Sequence, residues 1–166
     1  MLFAILAAFV AVVTGAGGQG TVADVGPLAE YAALFGWSFL AATVLPLGSE
    51  VAFAAVVHRH EQLLLPIAVA TAGNALGAFT TYGLGAKAAD LAAEHGATSS
   101  RARRAAELLN RYGQPIVFFS WVPILGDALV AAAGASKMRL VAFGAWMVAG
   151  KAFRYAVLAW SVQAVR

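Results

Sequence analysis

The chain has 166 residues, of which 61% are hydrophobic and 11% charged, and its mean hydropathy is +0.79. A soluble domain carries about 25% charged residues, so this composition excludes an ordinary soluble domain and indicates an integral membrane protein of one compact domain. The absence of cysteine excludes disulfides, thiolate nucleophiles and cysteine-ligated metals. The chain has 11 Lys and Arg against 8 Asp and Glu, and we assign this basic excess to cytoplasmic loops and the anionic lipid surface rather than to nucleic acid.

The chain begins with an apolar run that ends in small residues, a pattern shared by signal peptides and short membrane helices. No basic residue precedes the run and no A-x-A cleavage site follows it, so we favour a short or tilted membrane helix. A glycine-rich stretch closed by Pro27 then predicts a loop. We assign residues 1–27 to an N-terminal membrane helix with its loop, and residues 28–166 to a single membrane domain.

The remaining apolar segments cover residues of about 31–57, 62–86, 114–136 and 140–163. Shifting the sequence against itself by 77 residues, the distance from Pro46 to Pro123, superposes distinctive residues without a gap: Pro46 on Pro123, Glu50 on Asp127, Gly73 on Gly150 and Gly36 on Gly113. Coincidences of Ala or Leu are common in such a composition, but these are not. We predict an internal duplication, with repeat 1 at about 34–86 and repeat 2 at about 111–163.

A polar and basic stretch at about 99–111 lies between the two repeats. Its alanines and leucines alternate with arginines at helical spacing, Ser99 or Ser100 is suited to cap its start, and Gly113 is suited to end it. We predict an amphipathic linker helix there, which is either solvated or lies on the membrane surface.

Each repeat begins with an apolar segment that is interrupted by a proline and a glycine, Pro46 and Gly48 in repeat 1 and Pro123 and Gly126 in repeat 2. Such a segment is either a kinked span or a re-entrant hairpin, whose arms of about a dozen residues reach ~18 Å into a hydrocarbon core of ~30 Å. Two hairpins leave seven Lys and Arg on one side of the membrane and two on the other, whereas two spans leave six and three. The positive-inside rule therefore favours hairpins.

A hairpin followed by one spanning helix crosses the membrane once, so the second repeat is inverted relative to the first. The predicted fold is an all-α integral membrane protein, built as an inverted repeat of re-entrant hairpin plus transmembrane helix, with the extra N-terminal membrane helix. In this arrangement, typical of secondary transporters, two hairpins enter from opposite faces and meet at a central site near the midplane.

Four ionisable residues lie inside apolar segments: Glu50, Asp127, Lys151 and Arg154. Unpaired, they would cost on the order of 10 kcal/mol together, so they are paired or hydrated. One interpretation is structural, with two ion bridges that pin the hairpin tips to the last helix. The other is functional: the carboxylates face each other in a polar cavity, and Lys151 and Arg154 bind an anion from one helical face. Desolvation and mutual repulsion favour the protonated form of one carboxyl, so a proton is a candidate coupling ion.

Four polar residues form a second tier of candidates: Ser49, Asn74, Ser120 and Tyr155. Asn74 occupies the repeat position of Lys151, and Tyr155 is interpreted first as a packing or interface aromatic. Helix N-termini at Ser49 and Gly126 would suit a phosphate headgroup. The HRHE stretch is interpreted as a solvated loop rather than a metal site. No nucleophilic triad, P-loop or dinucleotide fingerprint occurs, so we predict neither an enzyme nor a cofactor.

The stretches LPLGSE, GNALGAFTTYGLG, SWVPILGD and GKAFRY, in this order, resemble the DedA membrane family, also called SNARE-associated or VTT-domain proteins, and especially its short YqaA-like branch, over residues 32–160. The resemblance implies a bacterial inner membrane, two opposed hairpins and a role in envelope homeostasis. It also implies relatives that move lipids, including polyprenyl-phosphate carriers, between leaflets with coupling to the ion gradient. The family's two acids carry over to Glu50 and Asp127. Family members place arginines where this chain has Ser120 and Gly126, and Lys151 with Arg154 are candidates to replace that charge.

The leading hypothesis is a proton-linked carrier of the cell inner (plasma) membrane that flips or scrambles a phosphate-bearing lipid. In this hypothesis Glu50 and Asp127 are gates, and Lys151 with Arg154 binds the phosphate. The expected partners are membrane lipids and protons or another coupling cation, and not nucleic acid, while a homo-oligomer is compatible with the sequence. The alternatives are a proton- or cation-coupled transporter of a small solute and a non-transporting scaffold with structural ion pairs.

Overall fold

The computed structural model describes residues 27–43, 49–59, 62–95, 100–123 and 125–164. Helices joined by turns make up this part of the chain, and no strand occurs among these residues. The all-α prediction is confirmed for them. The predicted N-terminal membrane helix and the predicted first hairpin turn at Pro46 and Gly48 both lie outside the described residues.

Three helices form the first half of the described chain: α1 (Pro27–Ala41), α2 (Ser49–Arg59) and α3 (Leu64–His95). Proline starts α1 without penalty, because the N–H that it lacks would have no partner within the helix, and Pro66 is tolerated in the first turn of α3 for the same reason. A serine begins α2, and Glu50 lies in its first turn, where a negative charge suits the helix dipole.

The second half contains α4 (Ser100–Tyr112), a 3₁₀ helix (Gln114–Trp121), α5 (Leu125–Ala135) and α6 (Leu140–Ala164). Gly113 separates α4 from the 3₁₀ helix with a φ of 70°, a conformation that glycine adopts without strain. The 3₁₀ helix has eight residues, whereas most runs of this helix type stop after three or four.

Within the described residues, one helical stretch is both long and apolar enough to cross a membrane, Leu64–Leu91 of α3. The apolar helices Leu28–Ala41 and Leu125–Ala135 are shorter than that. The 25 residues of α6 extend for ~37 Å, but this helix carries both Lys151 and Arg154.

Close backbone packing joins α1 to α3 and the 3₁₀ helix to α6. Glycines permit both approaches, because a methyl group at Gly73 would overlap the carbonyl oxygen of Phe35, and one at Gly150 would overlap that of Phe118. Gly73 and Gly150 coincide in the 77-residue shift. Equivalent positions of the two halves therefore provide the same kind of close helix contact.

The short helices α2 and α5, with 11 residues each, contact the long helix of the opposite half. Helix α2 packs against α6 as well as α1, and α5 packs extensively against α3. Two glycines allow the second of these contacts, since methyl groups at Gly85 and Gly134 would overlap the carbonyl oxygens of Ala131 and Tyr82. The two halves of the described chain are therefore interlocked.

Two large clusters of buried apolar residues and a small third one, Leu129 with Ala132 of α5, form the interior of the described structure. The first core joins α1, α2, α3 and α6 and comprises Leu34, Ala52, Phe53, Val56, Val57, Ala70, Tyr155 and Ala159. The second core joins α3 to α6 with α4, α5 and the 3₁₀ helix, and comprises Ala75, Ala78, Leu109, Val117, Val130, Ala133, Met138, Phe143 and Met147. Because Leu109 belongs to the second core, the apolar face of α4 is covered at this position by protein rather than by lipid.

Candidate functional site

A lysine interrupts the buried face of α6 between the two cores. Residues at every fourth position of this face are buried: Phe143, Met147, Lys151, Tyr155 and Ala159. This spacing brings side chains onto one side of a helix. Lys151 follows two members of the second core and precedes two members of the first, and it is only 5% exposed. Its ammonium group therefore requires polar partners from neighbouring helices.

Asn74 of α3 supplies that partner, since Lys151 Nζ donates a hydrogen bond to Asn74 Oδ1. The two residues are 77 positions apart, which is the offset that superposes the two halves of the sequence. In a structure with a pseudo-twofold axis, equivalent residues can contact each other only beside that axis. The contact therefore marks the position that an axis relating the two halves would occupy.

Tyr155 extends the polar contacts into the first core. Its hydroxyl oxygen accepts a hydrogen bond from Asn74 Nδ2 at 3.3 Å and lies 2.8 Å from Ser49 Oγ at the start of α2. Its ring packs on that of Phe53, with a centroid distance of 4.9 Å. A chain of polar contacts thus runs from Lys151 through Asn74 and Tyr155 to Ser49, and all four side chains are buried.

An ion pair lies beside this chain of contacts. Glu50, next to Ser49, forms an ion pair with Arg154, whose side chain is 17% exposed against 36% for that of Glu50. The guanidinium carbon also lies 5.9 Å from the ring centroid of Tyr155, within the range of a cation–π contact. The structure thus joins one predicted acid to one predicted base.

Asp127 occupies the first turn of α5, at the surface of the described structure. Its charge and that of Lys151 attract each other, but the two side chains form no ion pair within the described part of the chain. The two acids therefore associate with different cations of α6, Glu50 with Arg154 directly and Asp127 with Lys151 at longer range.

The predicted second hairpin turn falls between the 3₁₀ helix and α5, which pack against each other. Leu125 N donates to Pro123 O, and Gly126 N donates to Val122 O, both at 2.7 Å. A methyl group at Gly126 would overlap the carbonyl oxygen of Ser120, so the tight turn requires glycine. The Ser120 hydroxyl is buried, and it has no hydrogen-bond partner among the described residues.

Tyr155 is a second-tier candidate of the sequence analysis, interpreted first as a packing or interface aromatic; it does pack in the first core, but the polar contacts of its hydroxyl are not predicted. The available signal was its position four residues after Lys151, which places both side chains on the same buried face. No group of three or more His, Asp or Glu side chains suited to a metal ion occurs among the described residues.

Taken together, the helical architecture, the apolar span and the charges held in the interior define a helical integral membrane protein with a sequestered polar site. Inner membrane protein YqaA of Escherichia coli (strain K12) is 36% identical over 129 residues, covering 76% of this chain and 86% of that protein, and YqaA of Shigella flexneri gives the same values. An uncharacterized protein of Haemophilus influenzae is also 36% identical over 129 residues, with coverage of 73% and 80%.

The chain therefore belongs to the YqaA family of inner membrane proteins, within the DedA family, and its location is the inner membrane. No family model and no solved structure matches the chain.

Proposed function

We propose that this protein is a proton-linked carrier that moves a phosphate-bearing lipid between the leaflets of the inner membrane. Glu50 and Asp127 act as the gates, and Arg154 with Lys151 provides the phosphate site. The observation that carries the proposal is the ion pair between Glu50 and Arg154 beside a buried lysine that hydrogen-bonds only a neutral amide among the described residues. Lipids and protons are the partners that this chemistry requires.

We also propose that the two Pro- and Gly-interrupted segments are re-entrant hairpins of an inverted repeat. Helices α2 and α5 have 11 residues each, so each rises by ~16 Å, about half of the hydrocarbon thickness. The exchange of α2 and α5 between the long helices of the two halves, and the contact of Asn74 with its repeat equivalent Lys151, support this arrangement.

The mechanism follows from competition for Arg154. A guanidinium binds a carboxylate or a phosphate with the same planar set of N–H donors, so a phosphate oxygen can take the place of Glu50. A negative charge left without a partner in the membrane interior is costly, and Glu50 avoids that state by taking up a proton. Each phosphate charge bound at Arg154 is therefore accompanied by one proton at Glu50, which conserves the net charge of the site.

Lys151 contributes a second positive charge to the same region. Its hydrogen-bond partner is a neutral amide, so within the described part of the chain the lysine charge is compensated by the longer-range attraction of Asp127. A phosphate bound at Arg154 gains attraction from this ammonium. Protonation of Asp127 removes the competing carboxylate, so the second acid acts on Lys151 as the first acts on Arg154.

Lipid transport by purified protein in proteoliposomes tests this proposal. We expect the parent protein to move a fluorescent polyprenyl phosphate or phospholipid probe, and Glu50→Gln and Lys151→Gln to slow that movement at least tenfold. Arg104→Gln is the matched control, because it removes a cation from the exposed face of α4. If the two site variants remain folded and move both probes at the parent rate, the proposed site is wrong.

A non-transporting scaffold is the second candidate, and the completed Glu50–Arg154 pair is the observation that favours it. If the pair is purely structural, the double variant with two apolar residues should keep every activity of the parent, because neutral replacement of a buried pair often preserves stability. If the carrier proposal is right, the same double variant is folded but inactive in the proteoliposome assay.

A further inference from the structure

The Tyr155 hydroxyl is the point at which three helices are joined by polar contacts. It belongs to α6, it lies 2.8 Å from Ser49 Oγ of α2, and it accepts a hydrogen bond of 3.3 Å from Asn74 Nδ2 of α3. The side chain is fully buried. In an apolar environment the loss of such contacts is not compensated by water, so the three helices depend on one another at this point.

The two polar ends of the Asn74 amide have different partners. Its Oδ1 accepts from Lys151 and its Nδ2 donates to Tyr155. The amide is planar, so the Lys151 contact fixes the orientation of Nδ2 towards the phenol. Hydrogen bonds arranged in series strengthen one another. Withdrawal of Lys151 therefore weakens the Asn74–Tyr155 contact, and with it the contact of Tyr155 with Ser49.

This chain of contacts transmits position and not protons. A side-chain amide does not relay protons readily, because Asn74 would have to gain a proton on its oxygen and lose one from its nitrogen. A proton taken up by Asp127 therefore cannot pass through Asn74 to Ser49 or Glu50. Any influence between the two acids along this route requires a change in the contacts themselves.

Asp127, the acid of the second hairpin motif, attracts the ammonium group of Lys151 without forming an ion pair with it among the described residues, and so competes with Asn74 for this lysine. We infer that Tyr155 is a positioning residue for α2, the helix that carries Glu50. Lys151 either contacts Asn74 or moves towards Asp127, and the contact with Asn74 stabilises α2 through the Tyr155 hydroxyl. The two acids are thereby coupled across the structure. The inference goes beyond the proposed lipid transport and does not depend on which molecule is carried.

Amide hydrogen exchange of the purified, reconstituted protein tests the inference, because exchange reports local opening free energies. Tyr155→Phe keeps the ring on Phe53 and removes the hydroxyl, so we expect the amides of α2 to exchange about fivefold faster. Asp127→Asn removes the competitor for Lys151, so we expect the amides of α2 to exchange about threefold more slowly. A purely structural role of Tyr155 does not predict this protection from a distant substitution.

The decisive measurement combines the two changes. In the Tyr155→Phe background, Asp127→Asn should have no effect on α2, because the contacts that transmit it are interrupted. Unchanged or faster exchange of α2 in Asp127→Asn overturns the inference, as does protection that persists in the double variant. Should Tyr155→Phe fail to fold, Asn74→Leu interrupts the same contacts one step earlier and takes its place.

Tyr82→Phe is the matched control. It also removes a phenolic hydroxyl, from a half-buried side chain that donates to Met138 O at 2.5 Å, but it lies outside the contacts between Lys151 and Ser49. We expect its effect on exchange at the turn around Met138 and not in α2. Because exchange is measured without a lipid substrate, a failure of the transport assay leaves this result intact, and the two proposals are tested separately.

Discussion

Replacing the partners of the Glu50–Arg154 ion pair one at a time should destabilise the protein unequally. Glu50→Met leaves a guanidinium that cannot lose its proton, on a side chain that is 17% exposed. Arg154→Met leaves a carboxylate that is 36% exposed and that becomes neutral by taking up a proton. The loss of the acid is therefore expected to be the more damaging of the two changes.

The magnitude follows from burial. Removal of one partner from a fully buried pair costs about 3–5 kcal/mol, and an exposed pair contributes about 0–1 kcal/mol. The partial exposure of both side chains places Glu50→Met at about 2–3 kcal/mol and Arg154→Met at about 1–2 kcal/mol. The double variant replaces two charges by apolar side chains of similar length, and its free energy of unfolding should lie within about 1 kcal/mol of the parent.

Reversible denaturation in mixed detergent micelles, followed by the fluorescence of the four tryptophans, measures these free energies. The double-mutant cycle isolates the pair, provided that the slope of the unfolding free energy against denaturant stays constant. Additive losses in the double variant would show that the two side chains do not stabilise each other. A larger loss for Arg154→Met than for Glu50→Met would refute the assignment of the guanidinium as the more costly unpaired charge.

Two further predictions concern close packing and the contact between repeat equivalents. Gly150→Ala should lower the free energy of unfolding by about 1–3 kcal/mol, because its methyl group meets the Phe118 backbone. Gly83→Ala is the control: a methyl group there meets no atom within 4 Å, so this change should be neutral or stabilising in the same denaturation assay. Asn74→Lys alone should destabilise the protein, and the paired variant Asn74→Lys with Lys151→Asn should recover most of the lost stability, since it again contains one ammonium and one amide. Equal stability of the single and paired variants would contradict the direct contact.

The sequence alone identifies the polar residues of the interior better than it identifies their partners. Lys151 and Glu50 are recognisable because each is a charge within an apolar segment, and Asn74 is recognisable because it occupies the repeat position of Lys151. Helical periodicity places Lys151 and Arg154 on one face and so suggests a shared anion site. It does not specify that α2 packs against α6 so that Arg154 reaches Glu50, because that pairing depends on how the helices cross.

Local conformation was predictable to different degrees along the chain. Ser100 and Gly113 indicate the ends of α4 through known capping preferences. The 3₁₀ conformation of Gln114–Trp121 is not indicated, since an apolar run with a proline near its start is equally compatible with an α-helix. Its close approach to α6 at Gly150 is a tertiary contact that the local sequence does not encode.

The two halves of the chain, which superpose in the 77-residue shift, differ in their charge distribution. Both halves supply an acid at equivalent positions, Glu50 and Asp127, but both interior cations belong to α6, and the first half has Asn74 and Gly77 where the second has Lys151 and Arg154. Two acids must therefore share the cations of a single helix. In a fully symmetric pair of repeats the two acids would associate with cations on two different helices, α3 and α6, and the two acids could change state independently. Concentrating the cations on α6 places the partners of both acids on one helix, and this is the arrangement that the proposed carrier with two gates requires.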